Sequence, residues 1–173
     1  IDVSGKDMLY QFGVSHYKKG GTGFLLSGGC DQSGSVPLSR SIFEQVKKLT
    51  EETELNINLH TGLLNRKIAD SIHNSGIRTV SFDLLGSNRT IQDVLHLKRD
   101  VTDFHRSYKL LHDAGIDVVP HILVGFHYGN ESGEKQAINI ASEFQPDKAV
   151  MIILIPTPGT QMKDVNAPQD DLI

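Results

Sequence analysis

The side chains of this sequence best suited to chemistry lie where apolar runs end: Cys30, His60, Asp83, His121 and His127. Converging nitrogen, oxygen and sulfur ligands of this kind would suit zinc or iron. A cysteine beside a histidine could instead form a nucleophile–base pair. Because no two of them have the H-x-x-x-H spacing of a helical metal site, hydrogen-bonded polar side chains around a ligand are the alternative.

These residues sit at the same point of a repeated unit, in which a short apolar strand is followed by an amphipathic helix. Strands are predicted at 23–27, 55–60, 77–85, 116–125 and 149–155, with the last one buried. Helices are predicted at 7–18, from Ser39 onward, and at 65–74, 90–97, 101–113 and 131–144. This alternation indicates an α/β fold with right-handed crossovers and a parallel sheet. An open doubly wound sheet and part of a (βα) barrel both fit.

The strand endings indicate a ligand site at one edge of that sheet. Parallel α/β folds bind ligands at the carboxyl ends of their strands. Here every strand ends in polar or glycine-rich sequence: Ser27-Gly28-Gly29, His60-Thr61-Gly62, Gly86-Ser87-Asn88, Gly125-Phe126-His127 and residues 156–160. Since parallel strands end at the same edge, we expect these segments to lie together.

Two features of this edge have more than one interpretation. Paired glycines such as Gly28-Gly29 let the backbone approach a ligand, but a tight turn with positive φ would select them too. No Gly-Lys-Ser/Thr follows them and no G-x-G-x-x-G is present, which excludes the P-loop and the dinucleotide fingerprint. Asp83 lies between Phe82 and Leu84 in an apolar strand. An inward carboxylate there needs a partner such as a histidine or a ribose hydroxyl.

Composition limits the class of partner. The 173 residues carry a net charge of −4 with a pI near 6.0, so neither nucleic acid nor an anionic membrane is expected as a partner. No apolar run reaches the roughly 18–20 residues of a membrane span. The single cysteine excludes an internal disulfide framework and suits a reducing cytoplasm. We expect one domain over 1–173 and a small-molecule substrate.

The order of these motifs resembles the radical S-adenosylmethionine (radical SAM) enzymes. Ser27-Gly28-Gly29 resembles the glycine motif after their second strand, and residues 118–125 (VVPHILVG) resemble their fifth-strand G-x-I-x-G-x-x-E region. Residues 155–160 (IPTPGT) resemble the P-x-P-G-T segment of biotin-synthase-like members. The run 27–38, together with 60–63 and 81–83, is similar to a largely archaeal group of biotin synthase homologues. The resemblance covers about residues 20–162.

The resemblance implies a partial TIM-like barrel, equivalent to strands two to six of six. It implies SAM as cofactor, bound by Ser27, Gly28 and Gly29 at its methionine end, by Asp83 or Ser87 near ribose, and by Leu123 and Gly125 near adenine. The implied substrate-side residues are Cys30, His60, His121, His127 and Thr157. The complete enzyme would generate a 5′-deoxyadenosyl radical that abstracts hydrogen from a small molecule.

The sequence departs from the family at its defining motif. The C-x-x-x-C-x-x-C loop that holds the [4Fe–4S] cluster is missing, and Cys30 alone cannot replace it. Cys30 also stands where the family commonly has glutamate, and Pro120 and His127 differ from the pattern. We therefore expect strand one and its cluster loop to precede Ile1 in a longer form, and no metal within this chain. A SAM- or nucleoside-binding module and a metal-dependent hydrolase or lyase using His60, Asp83, His121 and His127 are the alternatives.

Without a preceding strand, residues 23–27 become an edge of the sheet with unpaired backbone groups. We expect this edge to be covered by the 7–18 helix, paired with a second chain, or prone to self-association.

Overall fold

The computed structural model describes residues 2–3, 5 and 7–168. Five parallel strands form one sheet, namely β1 (Gly23–Leu26), β2 (Asn56–Thr61), β3 (Thr79–Leu84), β4 (Asp117–Val124) and β5 (Val150–Ile153). The helices are α1 (Met8–Lys18), α2 (Arg40–Glu52), α3 (Arg66–Asn74), α4 (Asn88–Asp93), α5 (Val101–Asp113) and α6 (Glu134–Glu143). None of these helices is long and apolar enough to cross a membrane.

The strand order decides between the two architectures. The strands lie in the order β1-β2-β3-β4-β5, so each strand is hydrogen-bonded to its neighbours in the chain. In a doubly wound sheet, the strand order would reverse at a switch point. The uninterrupted order is that of a half-barrel, which confirms the partial TIM-like barrel.

Local sequence explains where the helices begin. The side chains of Ser39, Asn65 and Ser87 each accept a hydrogen bond from the backbone N–H three residues later, at the start of α2, α3 and α4. Asp100 and Asp103 form a reciprocal capping box at the start of α5. α4 occupies 88–93 rather than the expected 90–97, because Ser87 caps it earlier.

The sheet has an apolar outer face under the helices and a more polar inner face. On the outer face, Leu59, Phe82 and Ile122 are at most 1% exposed. Phe82 packs against Phe104 and Tyr108 of α5. Because side chains alternate along a strand, the inner face carries Leu25, Asn58, His60, Ser81, Asp83 and His121.

The last strand corrects one expectation. Every residue of β5 is exposed, from 37% at Ile153 to 47% at Met151, although the apolar run predicted a buried strand. β5 is the terminal strand of the sheet, and α6 packs on β4. An apolar run with both faces covered is typical of a central parallel strand, whereas the residues of β5 are exposed on both faces.

At the opposite edge of the sheet, α1 contacts β1 at two points. Phe12 of α1 packs edge-on against Phe24 of β1, with ring centroids 5.3 Å apart. His16 Nε2 lies 3.1 Å from the carbonyl oxygen of Gly23. The 7–18 helix therefore contacts β1 through Phe12 and His16, while it packs mainly on α2, and both the covering of this edge and self-association through it stay predictions.

A leucine-to-alanine substitution should lower the free energy of unfolding by different amounts on the two faces of the sheet. Leu59→Ala removes a side chain that is 1% exposed on the outer face, and should lower the free energy of unfolding by about 2–5 kcal/mol. Leu25→Ala, on the inner face of the adjacent strand and 59% exposed, should change it by at most about 0.5 kcal/mol. Urea unfolding followed by circular dichroism measures both. Equal losses would contradict this assignment of the faces.

Candidate functional site

The inner face brings together a cluster of two histidines around one carboxylate, which we call the His–Asp–His cluster (His60, Asp83, His121). His60 Nε2 lies 3.1 Å and His121 Nδ1 lies 3.2 Å from the same oxygen, Asp83 Oδ1. The two imidazole rings stack with centroids 5.3 Å apart. The strands β2, β3 and β4 each supply one member, and Asp83 is directly paired with His121 in the sheet register.

The electrostatics of the cluster favour a charged carboxylate. Burial alone would raise the pKa of Asp83, but hydrogen bonds from His121 and His60 outweigh it and hold that pKa well below its usual range. The hydrogen bond to Asp83 raises the pKa of His60 against the opposing effect of burial. The Asp83 carboxylate is therefore ionised at neutral pH.

Polar neighbours extend the cluster in two directions. The Ser27 hydroxyl, just after β1, lies 3.5 Å from His60 Nδ1. One layer lower on the inner face, the Asn58 amide donates to the Ser81 hydroxyl at 3.0 Å. Among the described residues, no hydrogen bond reaches Asp83 Oδ2, so that oxygen is available to a ligand.

A cavity of about 320 Å³ opens beside the cluster at the carboxyl edge of the sheet. Gly28, Cys30, His60, Asp83 and Leu123 border it. Its remaining wall is largely apolar, formed by Val36, Leu85, Leu95, Leu97, Phe104 and Phe126. An apolar wall with a few convergent polar groups is typical of a small-molecule site.

The paired glycines have no conformational explanation within the chain. Neither Gly28 nor Gly29 has a positive φ, so the turn interpretation is wrong. A Cβ on Gly29 would meet no atom within 4 Å, and one on Gly28 would meet only Val36, at 3.3 Å. Gly28 borders the cavity, and neither a positive φ nor a close neighbour accounts for the glycine at position 29, which favours close approach of a ligand to this segment.

Cys30 borders the cavity as an exposed thiol. Partial burial, followed by the charges of Asp83 and Asp31, raises the pKa of this thiol. Because the thiolate is the reacting form, the environment disfavours the nucleophile–base interpretation.

The structure places four other expected site residues away from this cavity. His127 is buried with Nδ1 3.4 Å from the Thr90 hydroxyl, and is not part of the cluster. Ser87 caps α4. Gly125 has a φ of +69° and donates its N–H to Glu134. Thr157 donates to the carbonyl oxygen of Ile155.

Sequence reasoning missed two contributions. Glu134 is a nearly buried carboxylate that accepts the backbone N–H groups of Gly125 and Ser132, at 2.9 and 2.6 Å, and so fixes the loop after β4. The segment after α4 supplies Leu95 and Leu97 to the cavity wall. The alternation of Asn56, Asn58 and His60 in β2 was the available signal that one face of the sheet is polar.

A larger hollow of about 640 Å³ lies at the other edge, around the amino ends of β2 and β3. Residues such as Lys47, Glu51 and Arg78 line it, and it contains no member of the cluster. Since parallel α/β folds bind ligands at the carboxyl edge, we assign the site to the smaller cavity.

Comparisons with known proteins give the fold a context. Methylornithine synthase (PylB) matches with a TM-score of 0.72 and 17% identity over 98% of this chain and 49% of its own. Coproporphyrinogen III oxidase (HemN) from Escherichia coli, a radical SAM enzyme, matches with a TM-score of 0.64 and 14% identity, over 95% of this chain and 41% of its own. HydG, a maturase of the [FeFe]-hydrogenase, matches with a TM-score of 0.66 and 10% identity, over 96% and 40%.

This chain has the fold of about half of each of these proteins. No protein-family model matches the sequence, and no curated protein matches it significantly. At such identities the likeness concerns the fold, so the site has to be argued from its own residues.

The hydrogen bonds of the cluster predict a pH effect in metal-free protein. A raised pKa means that protonated His60 stabilises the fold below about pH 6.5, and that this stabilisation is lost as the pH rises through the folded-state pKa. Asp83→Asn should lower the His60 pKa, as measured by proton NMR titration with a chelator present. The stability difference between the wild-type and variant proteins should be largest between about pH 4 and 6.5.

His73→Gln, at an exposed position of α3, is the matched control, since it leaves both hydrogen bonds to Asp83 in place. A His60 pKa that is the same in both proteins would contradict the role given to Asp83.

Proposed function

We propose that this chain is the SAM-binding part of a radical SAM-type barrel related to biotin synthase, acting on a small molecule. The observation that carries the proposal is Gly28-Gly29, two glycines at the carboxyl end of β1 that lack a positive φ, of which Gly28 borders the cavity and Gly29 has open space where a side chain would be. The fold likeness to HemN, a radical SAM enzyme, supports it.

The residues of the site have separate roles in this proposal. The backbone of Ser27, Gly28 and Gly29 would hold the methionine end of SAM. Asp83 Oδ2 would accept a ribose hydroxyl, and Leu123 would contact adenine through the apolar wall. Ser87 and Gly125 would act indirectly, because their polar groups already fix the loops around α4 and β4.

The cysteine content does not fit a [4Fe–4S] cluster within these 173 residues. Such a cluster needs thiolate ligands from several cysteines, and the chain has Cys30 alone. In the proposal, the thiolates belong to a part of the protein outside this sequence. We derive no chemical step for the cluster from the residues present.

The exposed apolar strand β5 supports completion of the barrel by further chain. Met151 and Ile153 are 47% and 37% exposed on the outer face, where a central strand of a barrel is covered by a helix. The chain spans less than half the length of the solved proteins that it matches. Further chain that covers this strand would account for both facts.

Titration calorimetry with SAM tests the proposal on the chain itself, in buffer with a chelator. Binding should be saturable below about 1 mM, which corresponds to about 4 kcal/mol. Gly29→Val should raise the Kd at least about tenfold, since the added side chain fills the open space beside Gly29, where the proposal puts the methionine end of SAM. The thermal stability of this variant should match that of the wild type.

Gln32→Val, at an exposed position of the same loop, is the matched control and should leave the Kd unchanged. The proposal fails if about 1 mM SAM produces neither heat nor a thermal shift. It also fails if Gly29→Val binds SAM as tightly as the wild type does.

A further inference from the structure

We infer that the His–Asp–His cluster is a binding site for a divalent transition metal, with His60 Nε2, Asp83 Oδ1 and His121 Nδ1 as its protein ligands. This inference goes beyond SAM binding and does not depend on it. It also differs from an iron–sulfur site, because it uses no cysteine.

The distances in the cluster are those of a ligand set. The three ligand atoms all lie within 4.8 Å of one another. Two atoms that are each about 2.1 Å from a metal ion are about 3.0 Å apart in octahedral and about 3.4 Å apart in tetrahedral geometry. The observed separations of 3.1 and 3.2 Å between the histidine nitrogens and Asp83 Oδ1 fall between these values. A metal ion therefore requires little change in the two nitrogen–oxygen distances, and the two histidine nitrogens already lie within 4.8 Å of each other.

The fold holds these ligands on a rigid base and leaves one side open. They project from three adjacent, hydrogen-bonded strands rather than from loops. Their side chains are 27%, 42% and 17% exposed, in the order His60, Asp83, His121. Open coordination positions on the cavity side would suit an oxygen atom of a small substrate.

A second hydrogen bond supports His60 as a ligand. A metal-bound histidine usually donates its other ring N–H to a neighbouring oxygen, which fixes the ring. With Nε2 on the metal, Nδ1 carries the proton and faces the Ser27 hydroxyl at 3.5 Å. Asp83 Oδ2 stays available, so a metal on Oδ1 and a ligand hydroxyl on Oδ2 are compatible.

The chemistry of the ligands selects the metal. Two imidazoles and one carboxylate suit Zn²⁺, Fe²⁺, Co²⁺ or Mn²⁺, whereas Mg²⁺ and Ca²⁺ prefer oxygen ligands. The carboxylate charge offsets half of the charge of a divalent ion. The competing interpretation is a cluster held only by hydrogen bonds, which binds an organic group and no metal.

Co²⁺ is a suitable probe because its visible spectrum reports coordination directly. Titration of metal-free chain with Co²⁺ at neutral pH, without SAM, should give one bound ion per chain and a new d–d absorption, and Zn²⁺ should displace it. His60→Gln, Asp83→Asn and His121→Gln should each raise the Co²⁺ Kd at least about 100-fold. Ser27→Ala should raise it about tenfold, as expected for loss of a supporting hydrogen bond.

His73→Gln, which removes an exposed histidine of α3, is the matched control and should bind Co²⁺ like the wild type. Asp83→Asn keeps an oxygen that accepts from both histidines, so its circular dichroism and melting curve should remain native in shape. The inference is overturned if the wild type binds no stoichiometric Co²⁺, or if His73→Gln weakens binding as much as the cluster variants do.

The two proposals fail separately. If the wild-type chain binds SAM but no Co²⁺, only the proposed metal site is refuted. If the wild-type chain binds Co²⁺ but no SAM, only the proposed function is refuted.

Discussion

The parallel register of β2, β3 and β4 is the constraint on which the site depends. Asp83 is paired with His121, and His60 lies one strand away on the same face. A slip of one residue in β3 would turn Asp83 under the helices and Phe82 onto the inner face. That would bury an unpaired carboxylate and remove Phe82 from its contacts with Phe104 and Tyr108. The packing of the outer face therefore fixes the geometry of the inner one, and the site needs no loop to assemble its three central side chains.

Most of the fold follows from sequence pattern because local and global preferences agree. Alternation in residues 55–60, helical periodicity in 101–113, and glycines with positive φ at 76 and 115 all predict elements close to those observed. The prediction that β5 is buried was wrong for a physical reason. An apolar run shows that a strand can be covered on both faces, but its place in the sheet decides whether it is covered, and that place is a non-local property.

The site was predictable only in part. Because His60, Asp83 and His121 lie near the strand ends, the sequence identified all three as candidate site residues. The alternation of side chains along a strand puts them on one face of the sheet. His127 belonged to the same set by sequence, yet the turn after β4 directs it to Thr90 in the protein interior. The conformation of the Gly28-Gly29 segment was not predictable either, since a turn and a ligand contact select the same residues. Only the φ angles distinguish them.

The charge of Asp83 connects the two interpretations of the cluster. A half-buried carboxylate must be compensated, and His60 can do so by taking up a proton, which its raised pKa favours. A divalent ion at the same oxygen would compensate the charge more strongly and would displace that proton, since a metal-bound histidine must be neutral. Proton and metal thus compete for one negative charge. The same carboxylate that stabilises the metal-free fold in mildly acidic solution would set the metal affinity at neutral pH, so one side chain links the stability of the half-barrel to the occupancy of its site.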